Sequence, residues 1–73
     1  MLNPTIAREA QALIDAAGLA ASSLARQAAA AAIAAAQDVS LWLEREDDDY
    51  AIFLYGQAQM HLAILRDQLA QTQ

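Results

Sequence analysis

Nine of the twelve residues from Ala25 to Ala36 are alanine, interrupted only by Arg26, Gln27 and Ile33. Alanine is the strongest helix former, because it loses no side-chain entropy on folding and hides no polar group. It is also the smallest side chain that can line a helix contact, so a neighbouring backbone can come close while each residue buries little apolar area. The tract therefore calls for a long helix that needs a neighbour, and it carries no chemistry of its own.

The shortage of larger apolar side chains is general. Hydrophobic residues make up 58% of the chain, but removing the 20 alanines leaves only 22 larger ones among 73 residues. A chain this short makes one domain, spanning 1–73, and below roughly 70–80 residues a single core rarely supplies more than about 3–5 kcal/mol. Cysteine is absent, so neither a disulfide nor a cysteine-ligated zinc can compensate. Oligomerisation, or a partner protein, is the remaining route to stability.

Charge narrows the class of partner. The net charge is −5, and the only basic residues are Arg8, Arg26, Arg45 and Arg66, scattered singly. Nucleic-acid binding needs a clustered basic face, and helices on anionic membranes carry lysine and arginine along their polar side. Neither pattern is present. Met1-Leu-Asn-Pro-Thr-Ile6 lacks a basic n-region, and Glu9 and Asp15 stand where the apolar stretch of a signal peptide would lie. The best membrane-span candidate, Ala16 to Ala36, holds Arg26 near its middle, at a cost of about 2.5–3.5 kcal/mol on insertion scales. The expectation is a soluble, cytoplasmic protein.

Asn3-Pro4 reads as a helix start, with asparagine capping and proline in the first turn. At Gly18 two readings compete. It can end a first helix, with Ser22 or Ser23 capping the next, or lie within one long helix at a cost near 1 kcal/mol. Placed at 100° intervals, Ile6, Leu13, Ile14, Leu24, Val39, Trp42 and Leu43 share one sector, with Ala10, Ala17, Ala28, Ala31 and Ala35 filling the gaps. This stripe keeps its phase across Gly18 and so favours one helix from Pro4 to about Arg45, with a bend or break at Gly18 as the alternative.

Glu44-Arg-Glu-Asp-Asp-Asp49 is the clear break. Acidic residues are unfavourable at a helix C-terminus and favourable at an N-terminus, where aspartate also caps. The chain should turn near Glu46–Asp48 and run a last helix from about Asp49 to Gln71, fraying from Gln68. The fold expected is all-α: an antiparallel helical hairpin, completed into a multi-helix bundle by oligomerisation or a partner. Its core comprises Ile6, Leu13, Leu24, Ala28, Ala31, Ala35, Val39 and Trp42 from the long helix, facing Tyr50, Leu54, Ala58, Leu62, Leu65 and Leu69 from the last. Apolar residues remain outside those stripes: Leu19, Ile33 and Leu41 on the first helix, and Ile52, Phe53, Met60 and Ile64 on the last. A two-helix hairpin covers one stripe per helix, so these seven mark a second interface.

Catalytic and ligand patterns are sparse. His61 is the only histidine and has no second histidine, cysteine or Glu-x-x-His to complete a metal site, so it reads as a contact-edge residue. Glu44, Glu46, Asp47, Asp48 and Asp49 lack the alternate spacing and glycine of a calcium loop and read as a solvated turn plus cap. Ser22, Ser23 and Ser40 have no nucleophile-elbow setting, and Gly18 and Gly56 form no phosphate loop. No catalytic residue, metal site or cofactor is expected. Trp42, Tyr50, Phe53 and Tyr55 bracket the turn as an aromatic plug for the hairpin or as a binding hot spot. Gly56, inside the last helix, suggests close backbone approach at a helix crossing.

Tyr50-Ala-Ile-Phe-Leu54 together with Leu62-Ala-Ile-Leu65, in an acidic chain laid out as long helix, polar turn and tyrosine-led helix, resembles the small co-chaperones of type III secretion needle subunits. The alanine- and glutamine-rich helix loosely resembles the short polypeptides of R-body ribbons. The first resemblance implies an adaptor that binds another protein and the second a self-assembling subunit; neither supplies site residues. The leading expectation is a non-enzymatic, self-associating helical subunit. The alternative is a small acidic adaptor, co-chaperone or phage-type inhibitor that binds a different protein through its second apolar face.

Overall fold

A computed structural model describes the backbone of residues 3–71 and the side chains of residues 5–71. It is all-α, as the patterning requires, with no strand among the described residues. Three α-helices follow one another: α1 (Asn3–Ala17), α2 (Ser23–Glu44) and α3 (Asp48–Gln71), with one turn of 3-10 helix at Gly18–Ala20 between the first two. The side chains of Asn3 and Pro4, expected to start the first helix, lie outside those described.

The single helix from Pro4 to Arg45 is not formed. Gly18 adopts φ +54°, a left-handed conformation that ends α1 and that glycine enters without the Cβ penalty. The chain then restarts on Ser22, whose extended backbone and Oγ, accepting from the Ala25 amide at 3.1 Å, form an N-cap. Arg26 reaches back from α2 and donates to the Gly18 carbonyl at 3.0 Å, which also accepts from the Ala21 amide at 3.2 Å and so ties the 3-10 turn to α2. Length supplies the driving force. A 42-residue helix would run about 63 Å, whereas the 24 residues of α3 cover about 36 Å, leaving nearly half of the longer helix without a neighbour. Folding back at Gly18 lets α1 bury its apolar side in the same molecule.

Between α2 and α3 the chain reverses in three residues. Glu46 takes φ +62°, its amide donates to the Leu43 carbonyl (3.1 Å), and the Asp47 amide donates to Trp42 (3.0 Å). This is a Schellman C-cap with glutamate in the place usually held by glycine. Asp47 then caps α3, its Oδ1 accepting from the Tyr50 amide at 3.2 Å, and Asp48 and Asp49 occupy the first turn where the helix dipole favours them. α3 thus starts one residue earlier than expected. It also continues past the anticipated fraying point, and Gln71 donates to Asp67 at 3.2 Å.

α2 packs against α3 most extensively, and α1 packs more on α2 than on α3. The molecule measures 41 × 16 × 15 Å, one long helix in length and little more than a helix pair in section. Its main core is unusual in content. Of the eleven buried residues that cluster together, eight are alanine (10, 21, 25, 28, 29, 32, 36 and 58), and only Ile6, Leu62 and Leu65 are larger. Leu65 and Val39 are the largest side chains buried completely. The alanine tract serves as the floor on which α3 and α1 rest, as small side chains allow.

An exposed ion pair between Arg66 on α3 and Glu9 on α1 ties the open end. Both groups face solvent, so screening leaves it little stabilising value.

Candidate protein-interaction surface

The side chains expected to line a hairpin core divide into three groups. Ile6, Ala28, Val39, Ala58, Leu62 and Leu65 are buried; Leu13, Ala31, Ala35, Trp42, Leu54 and Leu69 are half-buried. Leu24 and Tyr50 are exposed and do not belong to the core, and Leu43, which shared their stripe, is exposed as well. The break at Gly18 separates the helical phase of α2 from that of α1, so Leu24 no longer lines up with Leu13. The inward positions of α2 are instead Ala25, Ala28, Ala29, Ala32, Ala36 and Val39.

Six of the seven residues set aside for a second interface are exposed: Leu19 (98%), Leu41, Ile52 (68%), Phe53, Met60 and Ile64. Ile33 is the exception. It packs, half-buried, against the core, because α2 has α1 as well as α3 for a neighbour.

On α3 the buried Ala51, Ala58, Leu62 and Leu65 form one face, and Phe53, Met60 and Ile64 lie on the opposite side. Beside them runs a shallow groove of about 300 Å³ between α2 and α3. It is walled by Leu24 and Gln27 on one helix and by His61, Ile64 and Gln68 on the other, over a floor of Ala28 and Ala31. No residue of α1 contributes to that wall. The cleft that α1 does help to form, about 470 Å³ and bounded by Leu13, Ala17, Arg66 and Leu69, is a different one. The α2–α3 pair therefore has α1 on one side and a bare, alanine-floored groove elsewhere. The groove contains no Asp, Glu, Lys or Arg.

His61 sits half-buried in the groove wall. Among the described residues no three His, Cys, Asp or Glu side chains are grouped as metal ligands would be. The acidic run 44–49 is exposed throughout, and within it the Asp47 carboxylate caps α3.

The aromatic residues at the turn do not form a buried plug. Trp42, half-buried, meets Tyr50 edge-to-face at 4.9 Å between ring centroids, and Tyr50 stacks on Phe53 at 6.0 Å. Tyr50 and Phe53 are exposed, while Tyr55 is turned onto the main core. Arg45 lies over the Trp42 ring, with Cζ 5.0 Å from its centroid. Gly56 is exposed, and a Cβ there would meet nothing within 4 Å, so no helix crosses it within this chain. Among the described residues no helix is long and apolar enough to cross a membrane.

Sequence periodicity located the exposed sector of α3 but missed the groove, because an alanine floor gives no signal of its own. Compared with protein-family models, curated proteins and solved structures, the chain matches none.

Proposed function

We propose that the chain is a non-enzymatic helical subunit that works by self-association. In this reading α2 and α3 form an antiparallel hairpin braced on one side by α1, and a second copy completes the bundle on the other. One observation carries it: the distribution of side-chain size is inverted. Alanines fill the core, while Leu19, Leu24, Leu41, Leu43, Ile52, Phe53, Met60 and Ile64 stand in solvent. Apolar burial contributes about 25 cal/mol per Å², so an alanine core stabilises weakly and the larger side chains do so only when a second surface covers them.

The second copy fits the α2–α3 groove and the neighbouring Met60–Ile64 side of α3. From Gly56 to Leu65, the stretch that holds Met60 and Ile64, this helix bears no Asp, Glu, Lys or Arg. A molecule of net charge −5 can bring that face to its own copy without apposing carboxylates. Light scattering at micromolar concentration tests the reading: a mass of two or more times 7.8 kDa is expected. A folded, sharply melting monomer would end it.

The alternative, an acidic adaptor, co-chaperone or inhibitor for a different protein, is supported by the concentration of acid at one end. It predicts poor recovery alone and good recovery with a co-expressed neighbour.

A further inference from the structure

The turn end of the molecule differs from the groove in both shape and charge. Residues 44–49 hold five of the nine carboxylates of the chain and one arginine, a net −4 against −5 for the whole chain. Beside this run lies the continuous ring surface Trp42–Tyr50–Phe53, of which Tyr50 and Phe53 are about half exposed, at 42% and 57%. The 15-residue α1 is about 22 Å long against about 36 Å for α3. Its ion pair and cleft contacts fall on Arg66, Leu69 and Ala70, at the far end of α3.

A second copy docked tip to tip does not suit this end, because it would bring one run of charge −4 against another. A basic amphipathic helix does. Its apolar stripe would cover Tyr50 and Phe53, and arginines flanking the stripe would be attracted by the net −4 of residues 44–49. The rings already accept this chemistry within the chain, where the Arg45 guanidinium lies over Trp42. We infer that the Trp42–Tyr50–Phe53 surface, at the same end of the molecule as the exposed acidic run 44–49, is a docking site for an arginine-bearing amphipathic helix of another protein. The site is separate from the groove assigned to the second copy and stands or falls independently of it.

Trp42 is the only tryptophan, so it reports on its own surface. The probe is a tryptophan-free peptide with leucines at i, i+3, i+4 and i+7 and arginines on both flanks of that stripe. Titrated into the full chain, it is expected to change Trp42 emission saturably, with affinity falling about tenfold or more between roughly 50 and 500 mM salt as exposed charges are screened. Phe53→Ala should weaken binding about tenfold or more. Glu44→Gln, Glu46→Gln and Asp49→Asn combined should weaken it about fivefold, the effect of three exposed ion pairs. Ile64→Asp, in the groove wall, should leave peptide affinity unchanged even where it lowers native mass, so failure of this site and failure of self-association are read separately.

Four results would overturn the inference: no saturable binding; equal binding of a peptide with glutamate in place of arginine; equal binding of one with alanine in place of leucine; or full affinity in Phe53→Ala at unchanged helicity.

Discussion

Glu46 is the residue most at odds with its local backbone. A side chain in the left-handed region costs about 1–2 kcal/mol, and the Schellman turn needs that region at this position. Glu46→Gly should therefore stabilise by up to about 1 kcal/mol after allowance for glycine's greater chain entropy, raising the thermal midpoint by about 4–8 °C at fixed protein concentration. A lower midpoint in calorimetry would show that the glutamate side chain stabilises the turn. Leu65 is the opposite case, a large side chain with no exposure in a core of alanines. Leu65→Ala should cost about 2–5 kcal/mol, comparable with the whole stability of a domain this size, so cooperative melting by circular dichroism should be lost or nearly so. The inward placing of Leu62 and Leu65 was legible from spacing alone. That of Leu24 was not, because its place depended on whether the helix ran on through Gly18.

At the scale of elements, the break at Gly18 and the turn at Glu46–Asp47 were announced with unequal clarity. Aspartates after a helix have few other uses, so the start of α3 was readable to within one residue. At Gly18 the stop signal, with Ser22 behind it, competed with an apolar stripe that stayed in phase. Five of the twelve residues in that stripe were alanine, and alanines spread as densely as they are between Pro4 and Arg45 fill the gaps of a stripe at many phases. Two glycine substitutions separate the roles. Gly18→Ala introduces a Cβ that meets nothing within 4 Å, so its cost is that of the left-handed backbone alone, about 1–2 kcal/mol. Gly56→Ala lies in the exposed interior of α3, also with nothing within 4 Å, and should stabilise by about 0.5–1 kcal/mol. Chemical denaturation of the two variants should therefore move the midpoint in opposite directions. A loss on Gly56→Ala would locate a helix from another molecule at that glycine.

For the whole molecule, the controlling fact is that small side chains are inside and many large ones outside. Ile64→Asp places a charge in the groove wall, where a second copy would have to desolvate it. Native mass by light scattering should fall to that of one chain with most helicity kept, or the chain should unfold if folding and association are one process. Salt provides an independent check. The groove is lined by no Asp, Glu, Lys or Arg, so self-association should change little as ionic strength rises, whereas binding at the acidic tip should weaken.

Composition and local patterning were sufficient for an all-helical chain, for the position of its acidic turn and for the surplus of apolar residues, because each follows from properties read within a few residues along the chain. The three-helix arrangement, the burial of alanine in place of leucine and the groove beside Ile64 required the folded molecule. Each depends on which helix lies beside which, and that choice turned on the length of α3 set against the chain before it. A helix of about 63 Å could not be covered by one of about 36 Å, so the chain folded back at Gly18, the only residue between Pro4 and Arg45 that enters a left-handed turn without a Cβ penalty.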